Sequence, residues 1–215
     1  MKFQWNPNLA TGGCELSAHP DDYDGHPTPD VFRLDYSPRF ASPGRLAVAA
    51  VLAFRSFVAG ELTFPSPIAP ELARSIIEFL DPVAVFPQPL DFQPKAVPLG
   101  TGLFVVEPDG IPSPADAAPG GPSVARLRLP SAGEGFGHSL TRDTLTVPTN
   151  ATLLVPASED PLARLGPFVA AAVLLAEDFG IGTLQLPRVA APQDSSLRRL
   201  AGLLEAGSLS LTWTD

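Results

Sequence analysis

Residues 44–70 and 166–192 read as two copies of one stretch, and no other feature constrains the fold so tightly. Shifted by 122 positions without a gap, Gly44, Ala49, Ala50, Val51, Leu52, Phe57, Gly60, Leu62, Pro65, Ala69 and Pro70 fall on Gly166, Ala171, Ala172, Val173, Leu174, Phe179, Gly182, Leu184, Pro187, Ala191 and Pro192. That makes 11 identities in 27 positions. Alanine-rich helices match one another cheaply, whereas the Gly60, Pro65 and Pro70 equivalences are harder to obtain by accident. Self-similarity at a fixed spacing is the signature of a repeated structural unit. The expectation is internal duplication, a fold built of two similar halves.

Each copy carries an apolar run, Leu46 to Phe54 and Phe168 to Ala176. A helix that is hydrophobic all round is buried in a core, and these runs are far shorter than the roughly 18–20 residues that cross a bilayer. Two such helices should meet, because two small sheets and two amphipathic helices do not bury them separately. With 45% hydrophobic and 17% charged residues the chain of 215 can bury a substantial core. Its net charge of −9 argues against a nucleic-acid partner, which needs clustered Lys and Arg; only Lys2 and Lys95 are lysines. The polar stretch Met1 to Ala10 lacks the apolar core of a secretory signal, so a cytoplasmic, non-membrane protein is expected. The single cysteine, Cys14, excludes an internal disulfide and reads as a small buried hydrophobe.

Along the chain, strands are predicted at Lys2–Trp5, Cys14–Ala18 and Val31–Tyr36, with a Pro/Asp/His loop between the last two. Ser42 and Pro43 suit the cap and first turn of a helix from Gly44 to Ala59. A strand Glu61–Phe64, an amphipathic helix Glu71–Leu80 and strands Val83–Phe86 and Leu103–Glu107 follow. Residues 1–107 form the first half, the Pro/Gly/Ala-rich 108–123 a linker, and 124–215 the second half. In the second half, strands are expected at Val124–Leu129, Leu145–Val147, Thr152–Val155, Thr183–Leu186 and Leu209–Trp213. A buried helix near Pro161–Asp178 and an amphipathic helix near Asp194–Ala206 complete it. The fold class is α/β (α+β), with duplicated βαβαβ units, each holding one buried and one amphipathic helix.

This order of elements, carried by Phe32 to Val85 and Thr152 to Trp213, resembles the repeating unit of the enolpyruvyl transferases and, more distantly, of the RNA 3′-phosphate cyclases. The resemblance implies a βαβαβ repeat scaffold. In that family the loop before the first buried helix carries a Lys-Ser pair and an arginine that hold substrate anions. Here the segments read Ser37-Pro-Arg-Phe-Ala-Ser-Pro-Gly-Arg45 and Ala157-Ser-Glu-Asp-Pro-Leu-Ala-Arg164, without the lysine. None of the family's active-site roles is therefore carried over.

Arg39 and Arg45 flank the start of the first buried helix, where free N–H groups and the helix dipole favour an anion. The more ordinary role is a surface pair with Asp30 or Asp35. His138 follows the glycine-rich Ser131–Ser139 loop and is a candidate ligand donor; a flexible surface loop is the plainer reading. His19-Pro-Asp-Asp22 copies a short motif of zinc-dependent deacetylases. His19, Asp21, Asp22 and His26 are accordingly weak metal candidates, since imidazole and carboxylate suit zinc. A poor strand leads into that motif, and a plain acidic loop accounts for it as well. No cofactor is implied. The function expected is that of a non-catalytic accessory or structural protein binding a protein partner or its own copy. The alternative is a small enzyme acting on an anionic metabolite, or a metal-dependent hydrolase.

Overall fold

A computed structural model describes residues 1–8, 12–95, 97, 99–110, 124–132, 137–157, 160–187 and 194–213. Most of the expected linker, residues 111–123, and part of the glycine-rich loop, residues 133–136, lie outside them, as do the equivalents of Ala69 and Pro70 at 191 and 192. The first half contains β1 (Lys2–Asn8), β2 (Gly13–His19), β3 (Val31–Leu34), α1 (Pro43–Phe54), β4 (Gly60–Ile68), α2 (Pro70–Leu80) and β5 (Val85–Leu90). Then come β6 (Gly102–Pro108), β7 (Val124–Leu129), β8 (Ser139–Leu140), β9 (Thr144–Thr146), α3 (Ala151–Leu154), α4 (Pro161–Ala176), β10 (Ile181–Leu186), α5 (Asp194–Ala206) and β11 (Ser210–Trp213). The chain is thus α/β, with two mixed sheets ordered β3-β2-β1-β4-β5 and β11-β10-β6-β7-β9-β8. The strand at 102–108, counted with the first half from sequence, lies in the second sheet between β10 and β7.

The layers follow from where apolar side chains fall. Strands β1 and β2 alternate, so Phe3, Cys14, Leu16 and Ala18 face inward while Lys2, Gln4, Glu15 and Ser17 face out. α1 rests on β2 and β4, α4 rests on β6 and β10, and the two helices pack on each other; α2 meets α5 in the same way. The order is sheet, helix, helix, sheet. Every residue of α1 from Arg45 to Phe54 is buried, as is every residue from Phe168 to Ala176. Burying a Leu, Val or Phe side chain contributes about 1.5–3 kcal/mol, so this double layer of helices is the main apolar store of the fold. The sheets close over both helices, so residues 45–54 and 168–176 keep no uncovered outer face.

The close approach of α1 and α4 depends on Gly166, where a Cβ would stand 2.6 Å from the Leu52 carbonyl oxygen. Within each sheet three strands run parallel in equivalent order, β1-β4-β5 and β6-β10-β11, with α1 or α4 and then α2 or α5 between them. The 122-residue shift carries Phe54, the last residue of α1, onto Ala176, the last of α4. It does not carry backbone roles throughout. Gly60 takes φ of 59°, but the left-handed glycine between α4 and β10 is Gly180 at 61° and not Gly182. Gly182 is small for another reason, since its Cβ would meet the Gly100 carbonyl oxygen at 2.0 Å. Duplication remains a reading of the sequence.

Two local expectations are corrected. The first buried helix stops at Phe54, and residues 55–57 form a turn before β4. Residues 151–154 are a short helix and not a strand. The preceding residues explain it, because they close the exposed edge of β3. Asn150 Oδ1 accepts from the Arg33 N–H at 2.7 Å, Asn150 Nδ2 donates to the Val31 carbonyl at 2.7 Å, and Thr149 Oγ1 donates to the Arg33 carbonyl at 2.8 Å. With its polar side chains so used, the chain turns away instead of pairing further.

Candidate functional site

The carboxyl ends of β4 and β5 and the first turns of α1 and α2 open on one cleft. Ligands of parallel α/β sheets bind outside the carboxyl ends of strands, and helix N-termini present unpaired N–H groups. The cleft holds a volume of about 660 Å³, lined among others by Ser42, Gly44, Ile68, Asp91, Lys95 and Glu177. Glu177 also lines a smaller cavity of about 300 Å³, together with Phe40, Arg45, Leu99, Gly100 and Ile181. Both α1 and α2 begin with a proline, and neither has a side-chain cap. The Ser42 hydroxyl, expected to cap α1, is buried without a hydrogen-bond partner.

Two carboxylates at the end of α4 tie the entrance of α1 to it. The Ser42 N–H donates to Glu177 Oε2 at 3.0 Å. Asp178 accepts from the Arg39 N–H at 2.8 Å, the Phe40 N–H at 2.9 Å and the Tyr36 hydroxyl at 3.0 Å. Carboxylates at a helix C-terminus oppose the helix dipole, so these donors are what make the pair tolerable. Burial and the Asp178 carboxylate together push the Tyr36 hydroxyl up to about 12.

Arg45 sits in the first turn of α1 and is 1% exposed. Its Nε and Nη2 reach the Gly207 and Ser208 carbonyls beyond α5 only at 3.4 and 3.5 Å, and Nη1 has no partner. Burial lowers its pKa from the ordinary arginine value, and the nearby Glu177 charge works against that shift.

Of the sequence candidates, Arg45 alone lines this cavity. Arg39 contributes its backbone N–H while its side chain is exposed. His138, from the glycine-rich loop, packs against the start of the segment that holds Arg39, its Nδ1 2.9 Å from the Asp35 carbonyl and its ring edge-on to Tyr36 at 5.0 Å. His19, Asp21, Asp22 and His26 are exposed near the opposite end of α1. Among the described residues no three His, Cys, Asp or Glu side chains gather as a metal site. The carboxylate that this loop uses is Asp24, which accepts from the Ala59 N–H at 2.7 Å and the Asp21 N–H at 2.9 Å and pairs with the Met1 amino group at 2.6 Å.

Glu177 and Asp178 escaped the sequence reading. Their one signal is an acidic pair directly after an apolar helix, where a C-terminal turn would favour basic residues. A third cavity of about 440 Å³ lies at the carboxyl ends of β6, β7 and β9. There Glu107 pairs with Arg126 and Arg128 at 2.8 Å each, and Asp109 accepts from the Ser131 N–H and hydroxyl. No protein-family model, no curated protein and no solved structure matches the chain, so the enolpyruvyl-transferase resemblance rests on the sequence pattern alone.

Proposed function

We propose that the protein is a non-catalytic accessory protein that docks a protein partner over the mouth of this cleft. The observation that carries the reading is the rim. Phe40 and Leu99, 61% and 80% exposed, line the smaller cavity that shares Glu177 with the cleft, and Phe92, 79% exposed, stands in sequence between the cleft-lining Asp91 and Gln93. Single exposed apolar residues are ordinary, but aromatic and aliphatic side chains gathered at a cleft mouth mark a surface that a partner covers.

The mode of docking follows from the neighbouring edge strand. Gly60 donates to the Ala84 carbonyl at 3.0 Å, and β5 pairs with β4 in parallel from Gly60 and Val85 onward. The amides of residues 86 and 88 therefore turn to β4, while those of 85, 87 and 89 would turn outward. Two of those outward positions are Pro87 and Pro89, which have no N–H. The edge is closed to strand addition, so the partner docks by side chains. The net charge of −9 disfavours a second copy and favours a partner with a basic surface. The alternative, an enzyme acting on an anionic metabolite, has no activated nucleophile in Ser42, whose hydroxyl lacks a base.

A photo-crosslinking residue at position 99, expressed in the source cell, tests this. It is expected to yield one discrete adduct, absent when the same group stands at Ser17 on the outer sheet face. Equal adducts from both positions, or none from 99, contradict the reading; an adduct of twice the chain mass replaces the partner with a second copy.

A further inference from the structure

We propose that the free edge of β11 pairs antiparallel with the β11 edge of a second copy of this chain. A strand at the end of a sheet leaves alternate N–H and C=O groups without partners, and proteins guard such edges with short strands, prolines, charges, bulges or covering segments. Among the described residues the sheets end on four strands, β3, β5, β8 and β11. Asn150 and Thr149 bond to β3, Pro87 and Pro89 interrupt β5, and β8 is two residues long. Ser210–Trp213 of β11 include no proline and no charged side chain, and their register with β10 runs without a bulge. Among the described residues β11 pairs with β10 alone, and its other edge carries none of these guards.

The side chains at this edge choose the occupant. Leu184 of β10 has a strand on either side and is fully buried, whereas Leu211 and Trp213, on the same face of β11, are only half-buried against the core. Ser210 and Thr212 face outward and are exposed. An added strand therefore needs apolar residues over the helices, alternating with small polar ones outside, and β11 is itself such a strand. Antiparallel pairing about Leu211 sets Leu211 opposite Leu211 of the second copy, Trp213 opposite its Leu209 and Ser210 opposite its Thr212. Apolar pairs and hydroxyl pairs of this kind stabilise a ladder, and like charges directly opposite would weaken it; residues 206–213 carry no charged side chain. The net charge of −9 has no carrier among them, and salt screens its more distant part. A basic partner gains nothing at an uncharged edge. Pairing of one edge with itself closes on a two-fold axis, and the guarded edges stop growth at two. The ladder is short against the roughly 800 Å² per partner of a standard interface, so the pair is weak and separates on dilution. This edge is separate from the docking cleft and uses none of its residues.

Sedimentation equilibrium on the purified chain tests this pairing. The mean mass is expected to rise from one chain at about 1 µM toward two at about 500 µM, as a small interface implies. It should stay at one chain throughout in Leu211→Lys, which sets two like charges on the two-fold axis. Leu211 is half-buried, and a lysine stem keeps that contact while its ammonium reaches water. A thiol experiment does not depend on that variant. Residues opposed in an antiparallel pair stand about 4.5–5.5 Å apart at Cα, within disulfide reach. Under mild oxidation at high concentration, Leu211→Cys should form the linked dimer at least about tenfold faster than Ser210→Cys, which is two positions out of register with its own copy. The native Cys14 is buried and does not compete. The proposal is overturned by a wild type that stays monomeric up to about 500 µM, by a Leu211→Lys protein that associates as the wild type does, or by equal linking at 210 and 211. No partner is present in these measurements, so their failure leaves docking at the cleft untouched, and failure of docking leaves this edge untouched.

Discussion

At Gly166 a methyl group would stand 2.6 Å from the Leu52 carbonyl oxygen, a backbone atom with no freedom to move aside. Gly166→Ala is therefore expected to force α1 and α4 apart and to destabilise the protein by about 1–3 kcal/mol in urea unfolding. Gly202, with open space around its Cβ position, is the matched control, and Gly202→Ala should be neutral or slightly stabilising. Charge at buried positions gives a second expectation. Cys14 is raised from 9.0 to about 12 by burial, and Tyr36 from 10.0 to about 12. In both cases the native state holds a proton that the unfolded chain releases. Stability contributed by these groups is complete below pH 9 and is lost as pH rises through 9–12. Chemical denaturation across that range should show falling stability, with a shallower fall in Cys14→Ala and in Tyr36→Phe. A flat profile would contradict the burial of both.

Among the elements, the edge of β3 shows how much of the fold the sequence displayed and where it stopped. Strands with alternating patterns, such as Cys14 to Ala18, and helices with a clear period, such as Glu71 to Leu80, lie where expected because their patterning is local. Residues 151–154 were misread because their conformation is set by partners about 117 positions away, Arg33 and Val31. Asn150 there supplies the acceptor and donor that a neighbouring strand would supply. Asn150→Ala should cost about 1–3 kcal/mol by leaving those β3 groups unpaired, and amide exchange at Arg33 should accelerate by the corresponding factor. The candidate site was legible only at Arg45. The cleft is assembled from strand ends, two helix starts and the α4 terminus, and no spacing in the sequence encodes that meeting.

For the whole molecule, the contacts of α1 with α4 and of α2 with α5 join the two halves through a shared core. The halves should unfold as one cooperative unit. Ala172→Leu, which enlarges a fully buried position of α4, is expected to lower the midpoints of far-UV and near-UV transitions together; separated transitions would mean two independent halves. The docking reading belongs to the same scale, since a rim that serves recognition contributes little to folding. Phe40, Phe92 and Leu99 are all more exposed than buried. Replacing the three with serine and comparing the protein with the wild type, in melting temperature and in elution size from lysate of the source cell, separates recognition from stability. The account predicts an unchanged melting temperature and a shift from a larger complex to the monomer; a variant that melts markedly lower, or elutes as the wild type does, would contradict it.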